Sequence, residues 1–291
     1  MLLAKLQSDR YLIPIAFVCI YFIWGSTYLA TDWAFEAFPP FYMTGIRLLL
    51  AGLFLLLFSY KEFKKTSWTQ LQNSAIFGLL ILAIGSGGSM WSVLYLDTGI
   101  ASLLIGAEPL VLVLLLWLLK GSKPSWQKTI GVIIGIVGMF VLLNQQHFSL
   151  ETDAWKGILA IAIAIVGWTI GSIYIKDANV PKSKLLNTAV QMITAGLILL
   201  GVAVLVQEDI STVQSTFSWT AFLSFVYLLF FGSVIAYTAF NYLLMKQDPR
   251  KVATVTYVNP IIALILGWYF NNELISIQSL VAAAILILGV V

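Results

Sequence analysis

The sequence predicts an all-α polytopic membrane protein, with ten transmembrane helices arranged as two inverted five-helix repeats. Three observations point there. Of its 291 residues, 60% are hydrophobic and only 10% charged, against about 25% charged in an ordinary soluble domain. Uncharged stretches near the ~20 residues needed to cross a ~30 Å hydrocarbon core recur from end to end. Features of the first half return in the second at a spacing close to half the chain.

The spans read in order as 11–31, 40–60, 74–95, 98–119, 127–143, 155–175, 185–206, 217–243, 251–270 and 275–291. Breaks fall at charge and turn clusters such as "YKEFKKTS", "KGSKPS", "KDANVPKSK" and "KQDPRK". The first span carries Trp24 just before "GSTY". No small-residue processing site follows it, so it is expected to stay in the mature protein. The second holds Arg47 within "TGIRLLLAGLFLL", and the third carries "GSGGSMW", Gly85 to Trp91, including Ser89. Those small residues can loosen a helix and expose backbone, or simply let helices pack closely. The fourth contains "LLIGAEPLVLVLL", in which Glu108 precedes Pro109. "GVIIGIVG", from Gly131 in the fifth, reads as packing or a dimer face. The sixth places Trp168 before "GSIY", and the seventh reads "TAVQMITAGLILL". The eighth sets Tyr237 and Asn241 a turn apart, and the ninth has Tyr257 ahead of Asn259-Pro260. The tenth, seventeen residues to Val291, reaches only about 25 Å as helix, so a marginal or shortened last span is expected.

Charge gives an orientation. Lys5, Arg10, Lys61, Lys64, Lys65, Lys120, Lys123, Lys128, Lys176, Lys182, Lys184, Lys246, Arg250 and Lys251 fall at alternate loops. By the positive-inside rule that side is cytoplasmic, which puts both termini inside. The opposite loops carry Asp32, Glu36, Asp97, Glu151, Asp153, Glu208, Asp209 and Glu273, with Lys156 the one basic residue among them. The net charge of +3 is then a topology signal, and no basic-aromatic groove or phosphate loop suggests nucleic acid. Arg47 and Glu108 remain as the two charges placed within the membrane.

The repeat is read residue by residue. Thr44 lies on Thr188, and Ala51, Gly52 and Leu53 lie on Ala195, Gly196 and Leu197. "AEPLVLVLL" lies over "VNPIIALIL", so Glu108-Pro109 corresponds to Asn259-Pro260, and Gln127 and Gly138 meet Gln278 and Gly289 at the same offset. Five helices have odd parity, so the second copy is inserted upside down; the repeats are expected over residues 1–150 and 151–291. Pro109 and Pro260 lack an amide proton and crowd the carbonyls of Ile105 and Thr256. Each helix should kink near mid-membrane, where irregular backbone must be packed in protein or face a watery cavity. A packing kink without any ligand is the plainer alternative.

"WGSTYLATDWAFEAFPPFYMTGIRLLLAG", "SLLIGAEPLVLVLL" and "YVNPIIALILGWYFNNE" together resemble the drug/metabolite transporter (DMT) superfamily, in its EamA-type exporter branch. The resemblance covers essentially the whole chain. It implies a ten-helix inverted-repeat carrier of the bacterial inner membrane, with helices one, three, four, six, eight and nine around a central cavity and five and ten peripheral. It also implies efflux of amino acids or other small metabolites by alternating access. An arginine at this place in helix two is common in the family, which favours a structural tether for Arg47 over a substrate contact. The chain departs from the pattern in having Ser122 where the second repeat has Glu273, and in stopping at Val291 without a basic tail.

The candidate substrate-binding or gating residues are Trp24, Ser89, Trp91, Glu108, Trp168, Tyr237, Asn241, Tyr257 and Asn259. Glu108 can pair with Arg47, serve a substrate or proton, or stay neutral in a hydrogen bond; the two lie ~15 and ~10 Å in from the outer side, so depth allows contact. Trp24 and Tyr28 share a helix face, as do Trp168 and Ser172. Such amphipathic rings suit a cavity for an aromatic or amphipathic solute, whereas Tyr28 and Tyr174, nearer span ends, suit an interfacial belt. With His147 in an outer loop and Cys19 in span one, the sequence offers no nucleophile-base pair, metal cluster or disulfide, and so no cofactor, metal or catalytic residue is expected. The expected partners are a small-molecule substrate, the lipid bilayer and, through Glu108, a proton. The alternatives are a channel-like facilitator, a non-transporting sensor or scaffold, and an intramembrane enzyme built on Glu108.

Overall fold

The computed structural model describes residues 2–121, 123, 125–143, 153–175, 178–211, 217–247, 249–252 and 254–290. Every regular element among them is helical. The first half comprises α1 (Leu2–Phe35), α2 (Pro40–Phe63), α3 (Trp68–Phe77) running into a π-helix, π1 (Gly78–Ser86), and then α4 (Gly87–Ser92), α5 (Thr98–Ile105), α6 (Glu108–Lys120) and α7 (Trp126–Leu143). The second comprises α8 (Ala154–Tyr174), α9 (Lys184–Leu205), α10 (Trp219–Tyr227) running into a second π-helix, π2 (Leu228–Tyr237), and then α11 (Thr238–Lys246), α12 (Pro249–Val252), α13 (Val255–Asn271) and α14 (Ile277–Val290).

Seven helical stretches among the described residues are long and apolar enough to cross a membrane: Arg10–Phe35, Pro40–Phe63, Trp68–Ser92, Thr98–Leu119, Ala154–Tyr174, Lys184–Leu205 and Trp219–Leu244. Thr129–Gly138 and Val258–Asn271 are shorter apolar helices, lying where the fifth and ninth spans are expected, and α14 occupies the place of the tenth. The chain is a multi-pass membrane protein, and among the described residues length and composition alone mark seven of the ten expected spans. Large apolar side chains such as Leu57, Phe58, Leu118 and Leu205 point outward, exposed, as a lipid-facing surface requires. Ser122, His147, Glu151, Lys176 and Val291 lie outside the described residues.

Local chemistry starts and stops these helices. Ser67 and Gln70 form a reciprocal capping box at α3, Ser183 caps α9 and Ser218 caps α10. Pro40 opens α2, where its missing N–H is harmless. α6 ends on Gly121 and α13 on Asn272, both left-handed, and these two residues share the offset that relates Glu108 to Asn259.

The two proline helices are not alike in hydrogen bonding. The helical hydrogen bonding of the fourth span is interrupted at Gly106 and Ala107, which keep right-handed backbone angles, and Pro109 sits in the first turn of α6. Pro260 lies inside α13, within a continuous helical stretch. A proline one residue into a new helix relieves the strain that a mid-helix proline would impose.

Packing follows a regular scheme. α1 lies against α10, π2 and α11, and also against α13; α8 lies against π1 and α4, and also against α6. α2 packs on α9 and α7 on α14. The α2–α9 contact is close because the matched glycines allow it: a Cβ on Gly52 would stand 2.8 Å from the Ile193 nitrogen, and one on Gly196 2.6 Å from the Leu49 nitrogen. Lys156, alone among the acidic loops, is held by Asp153 at 2.9 Å.

Candidate functional site

A cavity of about 170 Å³ lies at the centre, lined, among the described residues, from every helix group except α7 and α14. Those two pack on each other, with Gln278 donating to the Val141 carbonyl at 2.7 Å. At well below the ~300 Å³ at which pockets for drug-sized ligands begin, the cavity suits a small solute.

Both π-helices face it, π1 through Leu82, Gly85 and Ser86 and π2 through Gly232, Ser233 and Tyr237. A π-turn shifts the hydrogen-bond register and frees backbone groups, which is why such turns gather at functional sites. Here the Gly232 carbonyl accepts from Trp24 Nε1 at 3.2 Å. In π1, the Gly85 carbonyl accepts the Ser89 hydroxyl at 2.8 Å.

An aromatic box forms one part of the wall. Trp24 meets Trp168 edge to face, with centroids 6.0 Å apart at 81°. Phe240 lies 5.0 Å from Trp24 and 5.4 Å from Trp168, and Tyr237 stacks on Phe240 at 6.1 Å. The Tyr237 hydroxyl donates to Gln191 Oε1, which fixes the ring while its edge stays on the cavity. Such box-like clusters offer a large apolar contact with polar groups only at their margins.

Of the residues singled out in the sequence, Trp24, Ser89, Glu108, Trp168, Tyr237 and Asn259 line this cavity, as do Arg47 and Pro260. Trp91 does not; it stacks on Phe41 at 6.1 Å and meets Tyr95 at 4.9 Å. Asn241 is buried and donates to Thr188 Oγ1 at 3.0 Å, tying α11 to α9. The side chain of Tyr257 lies outside the described residues. Tyr28 corrects its expected interfacial role: it is only 6% exposed and lines the cavity, because it shares the inward face of α1 with Trp24. Tyr174 is 60% exposed, as an interfacial ring would be.

Arg47 and Glu108 both face the cavity, yet among the described residues no ion pair joins them, and Arg47 Nε is buried without a hydrogen-bond partner. Asn259 Oδ1, at the position matching Glu108, is likewise buried and unpartnered. The cavity therefore presents one cation, one acid and one free amide oxygen. Among the described residues no group of three or more His, Cys, Asp or Glu could hold a metal ion.

Acids at the end opposite the basic loops do work that the sequence did not suggest. The Glu208 carboxylate accepts from the Phe41 and Tyr42 amides, each at 2.9 Å, capping α2. Glu273 accepts from the Thr98 hydroxyl at 2.7 Å and from the Thr98 and Gly99 amides at 3.2 and 3.3 Å, capping α5. Asn271 donates to Asp32 and accepts from Trp33 Nε1 at 2.8 Å. These contacts stitch the two halves together at that end. At the other, Tyr21 and Thr254 share a hydrogen bond of 2.6 Å.

A multi-pass helical bundle folded around a small central cavity defines the class: a membrane transport protein. The chain belongs to the EamA-like transporter family, which matches it twice, over residues 12–144 and 155–291. It is 32% identical over 290 residues to the "Uncharacterized inner membrane transporter YedA" of Escherichia coli strain K12, covering 97% of this chain and 91% of that protein. It is 27% identical over 289 residues to the "Uncharacterized transporter YvbV" of Bacillus subtilis, covering 97% and 90%. A solved crystal structure superposes with a TM-score of 0.67 at 18% identity, over 96% of this chain and 95% of the other, a likeness of fold alone.

Proposed function

We propose that this member of the family is a secondary active transporter that exports small organic metabolites, amino acids or related compounds, by alternating access. The observation that carries the reading is the central cavity, built from both halves and lined by counterpart residues: Trp24 with Trp168, Glu108 with Asn259, π1 with π2. A site at the interface of two repeats lets one half rock on the other around a fixed solute.

An inverted pair of five-helix repeats underlies this proposal. Its support is the exchange of partners: α1 with the π2 group answers α8 with the π1 group, α1 with α13 answers α8 with α6, and α2–α9 and α7–α14 pair each helix with its own counterpart. The setting is the bacterial inner membrane, with the lysine-rich loops and both termini cytoplasmic. Glu108 is the candidate proton site.

Proteoliposomes test the reading. A solute panel should reveal saturable counterflow, in which labelled solute is driven against its gradient by unlabelled solute on the other side. Flux that rises linearly with concentration without counterflow identifies a channel-like facilitator instead, and an altered product identifies an enzyme.

A further inference from the structure

Resting on that reading, we infer that the cavity takes a monocarboxylate with an apolar body and that Arg47 binds the carboxylate, a substrate contact rather than a tether. Arg47 is 4% exposed, lines the cavity and leaves Nε without a partner. A tether would need an anchor, and no acid or carbonyl among the described residues supplies one. Its counterpart three residues after the matched threonine, Gln191, accepts the Tyr237 hydroxyl on its side-chain oxygen and keeps a buried amide nitrogen without a partner. The second half thus places a neutral amide at this position, whereas the first places a fixed positive charge on the cavity wall.

Burying a cation without an anion is strongly unfavourable, so an anionic solute removes a standing penalty as it enters. The charge is limited to one: Arg47 is the single cation among the described lining residues, and Glu108, which lines the same cavity, opposes a second negative charge. A planar guanidinium also matches the two oxygens of a carboxylate. The remainder of the solute then lies against Trp24, Trp168 and Phe240, which close together at 5.0–6.0 Å.

The test is binding to purified protein in detergent, read by the intrinsic fluorescence of the cavity tryptophans, with 3-phenylpropionate, L-phenylalanine and the amide of each as probes. Each acid is expected to bind at least about tenfold more tightly than its amide, the scale of one charged hydrogen-bonded contact. In Arg47→Gln, which installs the counterpart residue, that ratio should fall to within about twofold. Acids that bind no better than amides, acids that do not bind, or a ratio that survives in Arg47→Gln would each overturn the inference. Should Arg47→Gln fail to fold, wild-type protein still decides the matter. 3-Phenylpropionate should shield Arg47, but not the exposed Arg10, from phenylglyoxal as read by peptide mass spectrometry, and equal modification with and without it refutes the site. Because binding is measured without transport, loss of counterflow with acid selectivity intact overturns the carrier reading alone. Counterflow of other solutes without acid selectivity overturns this inference alone.

Discussion

Trp24 of α1 and Trp168 of α8, which precede the two glycine-serine segments, meet edge to face across the cavity with centroids 6.0 Å apart. Each half therefore contributes one ring to the same contact, and Phe240 fills the angle between them. Trp168→Phe keeps an aromatic face and should keep most of the transport. Trp168→Ala removes it and should lower kcat/KM about three- to tenfold for solutes with an aromatic body, the scale of an aromatic pair. Solutes too small to reach the box should be transported unchanged; a uniform loss for all would point to misfolding instead.

Glu108 is the one acid among the described residues lining the cavity, and no ion pair holds it to Arg47. If it carries the coupling proton, Glu108→Gln should fold and bind solute yet lose the response of flux to an imposed pH gradient. Asn259 at the matching position in the second half cannot titrate and so cannot replace it. Proteoliposome flux measured with and without the gradient decides the point, and an undiminished pH response in the variant assigns the proton elsewhere.

The broad fold was legible because lipid imposes a simple rule: twenty apolar residues make a crossing, and basic loops mark one side. Trp24, Trp168, Glu108 and Asn259 were legible because the duplicated letters mark positions related by the repeat. The π-helices were not, since an i→i+5 register leaves no compositional signature; only the small residues of "GSGGSMW" hinted at a loosened third span. Tyr28 was misplaced because distance from a span end does not say which face of the helix is packed. Glu208 and Glu273 read only as loop charges. Each follows a residue in the left-handed region, Gln207 at φ 55° and Asn272 at φ 54°, and that reversal, invisible in the letters, turns the acid back onto a helix N-terminus.

That capping geometry has a measurable consequence. Glu273 takes up two backbone amides and a hydroxyl at the start of α5, where the helix dipole favours a negative charge. Glu273→Ala leaves those donors without their partner and should cost about 1–3 kcal/mol, read as a lower Tm in detergent. Glu273→Gln retains an acceptor oxygen and should recover part of the loss. A Tm unchanged in both variants would mean that water replaces the carboxylate at no cost.

The α2–α9 contact makes the sharpest stability prediction, because one helix carries both the test and its control. A Cβ at Gly196 would stand 2.6 Å from the Leu49 nitrogen and 2.8 Å from the Gly45 carbonyl oxygen. These are backbone atoms of the facing helix, so the clash cannot be relieved by a rotamer change and α2 must move away. Gly196→Ala should therefore destabilise the protein by roughly 1–3 kcal/mol, as overpacking in a tight core does. Five residues along the same helix, a Cβ at Gly201 would meet nothing within 4 Å. There Gly→Ala acts only through backbone entropy and helix propensity, and Gly201→Ala should raise stability by about 0.5–1 kcal/mol. Thermal unfolding of the two variants side by side should give shifts of opposite sign. Matching signs would show that the α2–α9 spacing is not set by the glycine.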